Sequence, residues 1–178
     1  MKEVKWVSIE IYDNDWNILL IEEAQNKAWK NEGQISTPMG TVENWEGFLE
    51  TLVRELKEEI WLILDDEYKE KIKENWEFVM YVEDEKKQKI KVFIKKFRLK
   101  IDDILKEKIN LNFSNKEIKR VFWKEKEGLK NEDIENLRPW IVETLLKKEE
   151  NKIWVVFIKN WKYHKNTYYW VKKDLQNI

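Results

Sequence analysis

Three glutamates lie close together in this sequence, and their spacing is typical of carboxylates that bind a metal ion. Glu55, Glu58 and Glu59 fall within two turns of a predicted helix and follow Arg54. Carboxylates four residues apart on one helix repel each other by roughly 0.2–0.5 kcal/mol in water, and by more where an apolar surface excludes solvent. A hard divalent cation, which prefers oxygen ligands, is the simplest compensation for this repulsion.

The helix that would position these glutamates is amphipathic. At about 100° per residue its apolar side chains form one stripe, which consists of Phe48, Leu49, Leu52, Val53, Leu56 and Ile60. The stripe predicts a helix over residues 46–60 that packs on a core, with Glu55 and Glu59 along its edge and Glu58 just beyond. The alternative is an ordinary solvated helix face, since lysine and glutamate are abundant throughout the chain.

The residues that precede the glutamates favour a catalytic site over a solvated helix face. Five residues separate Gly40 from Glu46, and seven separate Glu46 from Arg54, which opens the run R-E-L-K-E-E-I-W-L. This pattern resembles the signature of the Nudix hydrolases, G-x5-E-x7-R-E-U-x-E-E-x-G-U, in which U is a bulky aliphatic residue. Trp61 is the one departure, because the family has glycine there. The segment from Gly33 to Gly40 also resembles the family's short strand and P-x-G turn.

The resemblance implies an α/β fold, namely a Nudix-type α/β/α sandwich with a mixed β-sheet. It also implies Mg²⁺ as cofactor, with Mn²⁺ as a substitute, and a metal site formed by Glu55, Glu58, Glu59 and the carbonyl of Gly40.

The resemblance further implies roles for residues around the metal site. Arg54 would pair with Glu46 or a neighbouring carboxylate and so fix the loop against the helix. The alternative for Arg54 is a plain surface pair with Glu58. A glutamate of the cluster, such as Glu58, or an acidic residue outside it would act as general base. Glu117 is the outside candidate because it precedes a strand whose loop faces the cleft in relatives.

The implied reaction is attack of water on phosphorus in a nucleoside diphosphate linked to another moiety. The expected substrate is a small soluble nucleotide, either a nucleoside triphosphate or a nucleotide sugar such as ADP-ribose, and no sequence marker separates these. One alternative is a catalytically silent module of the same fold that binds nucleotides or a protein partner. Another is a helical scaffold with chance similarity, which predicts an elongated shape and a stability indifferent to metal.

Composition narrows the partners and the compartment. The 178 residues carry a formal charge of −1 with 39% charged residues, so there is no net basic field to hold a nucleic-acid polymer. The chain has no cysteine, which excludes disulfides and thiol chemistry, and its single histidine, His164, is expected to have no role. Neither a signal peptide nor a long apolar run occurs, so a cytoplasmic protein without membrane contact is expected.

The sequence predicts a Nudix hydrolase domain over residues 1–148 and a C-terminal β-hairpin extension over residues 149–178, packed on the same domain. Alternating apolar residues predict strands over residues 4–12, 17–22, 78–82, 90–99 and 116–123. A long loop with at most one helical turn is expected over 101–115, and a helix over 131–148 that starts or kinks at Pro139. The extension, with strands at 155–158 and 167–171, would either add strands to the sheet or contact a second copy in a homodimer.

The tryptophan and glycine counts are abnormal. Eleven tryptophans and four glycines are present, whereas an average chain is about 7% glycine. Four of the tryptophans follow Asp or Asn where a turn would have Asx-Gly, and two others stand where relatives have glycine. Our hypothesis is that these six are glycines encoded by UGA and read under the wrong genetic code: Trp16, Trp45, Trp61, Trp76, Trp140 and Trp161. The alternative is a tryptophan-rich protein from an AT-biased genome.

Overall fold

A computed structural model describes residues 1–24, 33–83, 87–129, 136–138, 141 and 154–159. The strands of this part of the chain are β1 (Lys2–Tyr12), β2 (Asn17–Glu23), β3 (Ile35–Ser36), β4 (Met39–Thr41), β5 (Lys73–Glu83), β6 (Lys89–Lys100), β7 (Ile118–Glu125) and β8 (Trp154–Lys159). The helices are α1 (Phe48–Ile60), α2 (Asp66–Glu70), α3 (Asp103–Glu107) and α4 (Lys126–Leu129).

The strands form one mixed sheet in the order β3-β2-β1-β6-β5-β8, with β4 also paired to β1 and β7 to β2. β1 and β6 run parallel along their whole length, from the pair Lys2 and Ile90 to the pair Tyr12 and Lys100. β5 is antiparallel to β6 and parallel to β8. The predicted α/β fold with a mixed sheet is confirmed.

α1 packs most of the predicted apolar stripe on one face of the sheet, whereas Leu49, which the stripe included, is 42% exposed. Leu52, Leu56 and Ile60 are fully buried and share a core cluster with β1 residues that include Val7 and Ile9. Burial of one such side chain contributes about 1.5–3 kcal/mol, so the stripe anchors the helix firmly. Burial of the stripe therefore fixes the orientation of the helix on the sheet, and with it the position of the edge that carries the glutamates.

Both ends of α1 are set by local hydrogen bonds. The helix begins two residues later than predicted because Gly47 caps it in an extended conformation, and the Glu50 carboxylate accepts the Gly47 N–H at 2.8 Å. At the other end the chain turns left-handed at Trp61, and the N–H of Leu62 donates to the carbonyl of Leu56 at 3.0 Å. The following residues, Leu62 and Leu64, return to the core.

Several predicted elements shift in the structure. β5 begins at Lys73 rather than at residue 78. The loop over 101–115 contains one short helix, α3, whose Leu105 N–H donates to the Asp102 side chain, and this agrees with the single helical turn allowed there. The helix predicted over 131–148 lies mostly outside the described residues, and Leu137 within it bridges to Ile35 instead. β8 covers the first strand of the predicted extension, while its second strand lies outside the described residues.

The other face of the sheet holds a buried ion pair. Glu10 on β1 and Lys96 on β6 are both fully buried, and Lys96 Nζ lies 3.1 Å from Glu10 Oε1. The hydroxyl of Tyr12 donates to Glu10 Oε2 at 3.0 Å, and an Arg98 nitrogen lies 3.6 Å from the same oxygen. Burial disfavours the charged form of Glu10, but these neighbours outweigh it and lower the pKa of that carboxyl below its usual value.

Lys96→Met is expected to lower the free energy of unfolding by about 3–5 kcal/mol, since it leaves the buried Glu10 carboxylate without its main counter-ion. Urea denaturation measures this loss. Lys95→Met on the same strand is the matched control, because the partner of Lys95 is the exposed Glu74 and such a pair contributes at most about 1 kcal/mol. Equal losses in the two variants would show that Glu10 and Lys96 do not depend on each other.

Candidate active site

The closest approach in the candidate site is between β4 and α1, at Gly40. β4 pairs antiparallel with β1, with Gly40 opposite Val7, and this places the Gly40 backbone against the helix. A Cβ atom at residue 40 would lie only 1.9 Å from the Glu55 side-chain carbon Cδ and 2.0 Å from its Oε1. A side chain at residue 40 would therefore displace the Glu55 carboxylate from the position it has here.

Glu59 is tied to the same segment, the bend at Pro38 that leads into β4 at Met39 and Gly40, which is called the Gly40 turn below. Its Oε2 accepts the N–H of Met39 at 2.9 Å. Burial of the carboxyl raises the pKa of Glu59 well above its usual value, and repulsion from Glu55, Glu23 and Glu117 raises it further. The segment of Met39 and Gly40 thus meets the helix edge at Glu55 and Glu59.

Glu55 is partly enclosed, with its side chain 14% exposed. Burial raises the pKa of Glu55 to about 7, with a contribution from the charges of Glu58 and Glu117, although Arg54 opposes the shift. Two partly desolvated carboxylates four residues apart are unfavourable in the ionised state unless positive charge is nearby.

Arg54 connects the turn to the helix. Its Nε and Nη2 donate to the two carboxylate oxygens of Glu46 at 2.7 and 3.0 Å. Its Nη1 donates to Glu55 Oε1 at 2.7 Å and to Glu58 Oε2 at 3.3 Å, and Nη2 also reaches the Thr41 carbonyl at 3.2 Å. One guanidinium therefore fixes the position of three carboxylates and of the strand that carries Gly40.

Glu46 is held in one orientation by this network. The Glu46 side chain is only 2% exposed, and the Thr51 hydroxyl donates to its Oε2 at 2.9 Å. The hydrogen bond from Arg54 lowers the pKa of Glu46 to about 2, so the carboxyl is ionised at neutral pH. Glu46 therefore serves as the fixed anchor for Arg54 at the start of α1.

The carboxylates of Glu55, Glu58 and Glu59 are suitable ligands for a divalent cation, although they do not converge on one point in this structure. Glu59 receives a neutral hydrogen bond while three carboxylates repel it, and Glu55 shares this excess of negative charge. Glu58 lies at the rim with its side chain 59% exposed. Among the described residues no three acidic side chains converge on one point that could hold an ion; Arg54 holds Glu55 and Glu58, and Met39 holds Glu59.

The sequence model of the NUDIX domain matches residues 1–143. The chain belongs to the Nudix family. The geometry agrees with this assignment, because Arg54 contacts Glu46, Glu55 and Glu58, while Gly40 lies against Glu55 and the N–H of Met39 donates to Glu59. No curated protein matches the sequence significantly.

Solved structures of Nudix proteins share the fold. The mMutator MutT protein from Bacillus halodurans aligns with a TM-score of 0.53 and 17% identity over 86% of this chain and 90% of its own. A MutT/nudix family protein from Enterococcus faecalis aligns with a TM-score of 0.52 and 20% identity, over 69% of this chain but only 44% of its own length. The NUDIX domain of Shewanella oneidensis NrtR, complexed with ADP ribose, aligns with a TM-score of 0.55 and 12% identity, over 75% of this chain and 79% of its own. At these identities the likeness shows the α/β/α sandwich alone.

Glu117, the predicted base outside the cluster, lies on a different segment from the glutamates of α1. Glu117 is exposed just before β7, where its N–H donates to Asn115 and its carbonyl accepts the N–H of Ala24. The charge of Glu117 nevertheless acts on both Glu55 and Glu59. Its role as a general base stays a prediction.

The sequence analysis missed Glu23, which also lies close enough to raise the pKa of Glu59. Glu23 ends β2 and forms a two-point ion pair with the buried Arg138, whose Nε lies 2.5 Å from Glu23 Oε1 and whose Nη2 contacts Oε2. The Arg138 N–H also donates to the carbonyl of Ile35 at 3.0 Å. The available signal was the acidic pair Glu22-Glu23 at the end of a strand of five buried residues.

The described helices are all too short or too polar to cross a membrane.

Proposed function

We propose that this Nudix protein is a Mg²⁺-dependent hydrolase that cleaves a pyrophosphate bond in a nucleoside diphosphate linked to another moiety. The observation that carries the proposal is the pair of desolvated carboxylates, Glu55 and Glu59, held against the Gly40 turn. Their charge is unfavourable in the protein alone and becomes favourable when a divalent cation is shared with substrate phosphates.

In this proposal Glu55, Glu58, Glu59 and the carbonyl of Gly40 hold the metal ion. Bound Mg²⁺ supplies positive charge for the phosphate oxygens and retains water molecules that can be activated. Water adds to one phosphorus while the bridging P–O bond breaks, so that two products with terminal phosphates form. The proton released by water passes to a carboxylate, and the candidates are a glutamate of the cluster and Glu117 at its rim.

Arg54 acts in this mechanism through the carboxylates it contacts. Because Nη1 lies between Glu55 and Glu58, it limits the movement of both side chains while the substrate binds. Because Nε and Nη2 hold Glu46, the position of the helix edge relative to the Gly40 turn is fixed. Positioning of this kind contributes to rate when the reacting atoms must be held in one geometry.

The proposed substrate is a small nucleotide, either a nucleoside triphosphate or a nucleotide sugar such as ADP-ribose. The balanced charge of the chain supports a small ligand over a nucleic-acid polymer. ADP-ribose belongs in the test because the structurally similar NrtR domain was solved with that ligand.

The experiment that tests the proposal measures phosphate-terminated products from nucleoside triphosphates, ADP-ribose and dinucleoside polyphosphates, each with Mg²⁺, Mn²⁺ or chelator. Turnover that requires the metal supports the proposal. Metal-independent nucleotide binding without turnover would instead support a catalytically silent module.

Arg54→Lys is expected to lower kcat by about 10-fold, in the range typical of residues that orient metal ligands. Lysine keeps the charge but cannot donate to Glu46 and Glu55 together as the planar guanidinium does. Steady-state kinetics on the best substrate of the panel measures the effect. Lys71→Arg is the control for the reverse exchange, since Lys71 pairs with the exposed Glu67 on α2. An unchanged kcat in Arg54→Lys would remove Arg54 from the mechanism.

A further inference from the structure

Two tryptophans occupy backbone conformations that favour glycine. Trp16 has a φ of 63° and Trp61 a φ of 57°, and Lys87 is the other non-glycine residue with positive φ among the described residues. The left-handed region costs a residue with a Cβ atom roughly 1–2 kcal/mol, and it is rarer still for bulky side chains. Two large aromatic residues at such positions in one chain need an explanation.

Trp16 closes the turn between β1 and β2. Asp13 organises this turn, since its Oδ1 accepts the N–H of Asp15 at 3.0 Å and of Asn17 at 2.8 Å. The pair Asp15-Trp16 therefore stands where a tight hairpin turn favours Asp-Gly. The indole is 58% exposed and has Lys100 Nζ 4.6 Å from its ring centre. The turn is thus specified by backbone hydrogen bonds and not by burial of the indole.

Trp61 closes α1 immediately after the metal-binding glutamates. Its left-handed conformation reverses the chain so that the Leu62 N–H reaches the Leu56 carbonyl, a helix end at which glycine is strongly favoured. The indole is 67% exposed and lies 6.2 Å from the Phe113 ring centre. This is also the one position at which the chain departs from the Nudix signature.

Two further tryptophans follow asparagine at irregular points of the backbone. Asn75-Trp76 lies where the register between β5 and β6 shifts, between Glu74 and Glu77, and glycine is common at such bulges. Trp45 lies in the turn before α1 and is 77% exposed. By contrast, Trp6 and Trp123 lie within regular strands, and Trp123 packs on the core.

We infer that the natural protein has glycine at positions 16, 45, 61 and 76, encoded by UGA codons that the source organism reads as glycine. The same decoding would raise the low glycine count and lower the high tryptophan count together. Trp140 and Trp161 lie outside the described residues, and for them the hypothesis rests on sequence alone. The inference does not depend on which substrate the protein hydrolyses, and it implies that the form with Trp61 carries strain next to the active site.

The gene and the natural protein test this inference directly. We expect UGA at codons 16, 45, 61 and 76, and UGG at codons 6 and 123. Peptide mass spectrometry of the protein isolated from its source should then find glycine at the UGA positions and tryptophan at the UGG positions. UGG at codons 16 and 61, or tryptophan in the natural peptides at these positions, would overturn the inference.

The preference of position 61 for glycine can be tested by comparing the melting temperatures of its glycine and alanine variants. W61G is expected to melt about 3 °C above W61A, because only glycine adopts the left-handed conformation without strain. At Trp123 in β7 the order should reverse, with W123G about 2 °C below W123A, since glycine weakens a strand. Thermal unfolding of the four variants measures both differences. A W61A variant as stable as W61G would show that position 61 does not require glycine.

Discussion

Gly40→Ala is expected to lower the rate of pyrophosphate hydrolysis on the order of 100-fold, the loss associated with misplacement by about 1 Å. The added methyl would lie 1.9 Å from Glu55 Cδ, a separation that no non-bonded carbon pair adopts. Glu55 cannot swing away freely because Arg54 Nη1 holds its Oε1 at 2.7 Å. Either the Glu55 side chain leaves its Arg54 partner or the Gly40 turn and the helix edge separate, and in both cases the Gly40 carbonyl and the Glu55 carboxylate move apart.

Steady-state kinetics with Mg²⁺ and a calorimetric Mn²⁺ titration should both report the Gly40→Ala change. Gly128→Ala is the matched control, since a methyl group there would meet Lys124 Cε at an ordinary 3.5 Å. That variant should keep both activity and metal affinity. If Gly40→Ala keeps full activity while folding normally, the Gly40 turn and Glu55 do not form one site.

Local patterns in the sequence predicted the parts of the fold that depend on local physics. The apolar stripe located α1 to within two residues, and alternation located β1 and β2 equally well. The helix begins later than predicted because Gly47 caps it, which leaves Glu46 outside the helix with Arg54 and Thr51 as partners. The apolar stripe itself begins at Phe48, the first residue of the observed helix.

The features missed from the sequence depend on contacts between distant segments. The early start of β5 reflects the pairing of Lys73 with Arg98 on β6, which no run of apolar residues announces. The parallel pairing of β8 with β5 brings together segments separated by most of the second half of the chain. Such pairings depend on the whole topology, so periodicity within one segment cannot determine them.

In the candidate site, too, the residues on one helix were predicted from the sequence, whereas a residue from a distant segment was missed. The spacing along one helix predicted that Glu55 and Glu59 lie at the edge of the apolar stripe and that Glu58 lies farther out, and the structure shows this difference in exposure. Glu23 was missed because its proximity to Glu59 arises only when β2 joins the sheet. Its partner Arg138 lies 115 residues away, a separation over which the sequence alone offers no register.

Glu59→Gln is expected to reduce hydrolysis by more than the roughly 10- to 100-fold that outer residues of a metal site contribute, while making the metal-free protein more stable. The amide keeps an oxygen that can accept the Met39 N–H, so the shape of the turn is preserved. It removes a carboxylate whose pKa is raised in the folded state. Such a group favours folding at pH values below its unfolded pKa of 4.5, and this contribution is lost as pH rises through the raised pKa of the folded state. At neutral pH its removal should therefore be stabilising.

Thermal unfolding with and without Mn²⁺ separates this role from a structural one. Wild-type protein should gain about 2.7 kcal/mol when free Mn²⁺ is 100 times its dissociation constant, and Glu59→Gln should gain far less. Glu67→Gln is the control because Glu67 is exposed on α2 and pairs with Lys71; its response to Mn²⁺ should equal that of wild type. The decisive pattern is a reversal of order, with Glu59→Gln more stable than wild type in chelator and less stable in Mn²⁺. A purely structural glutamate would change stability equally in both conditions, and that result would remove Glu59 from the metal site.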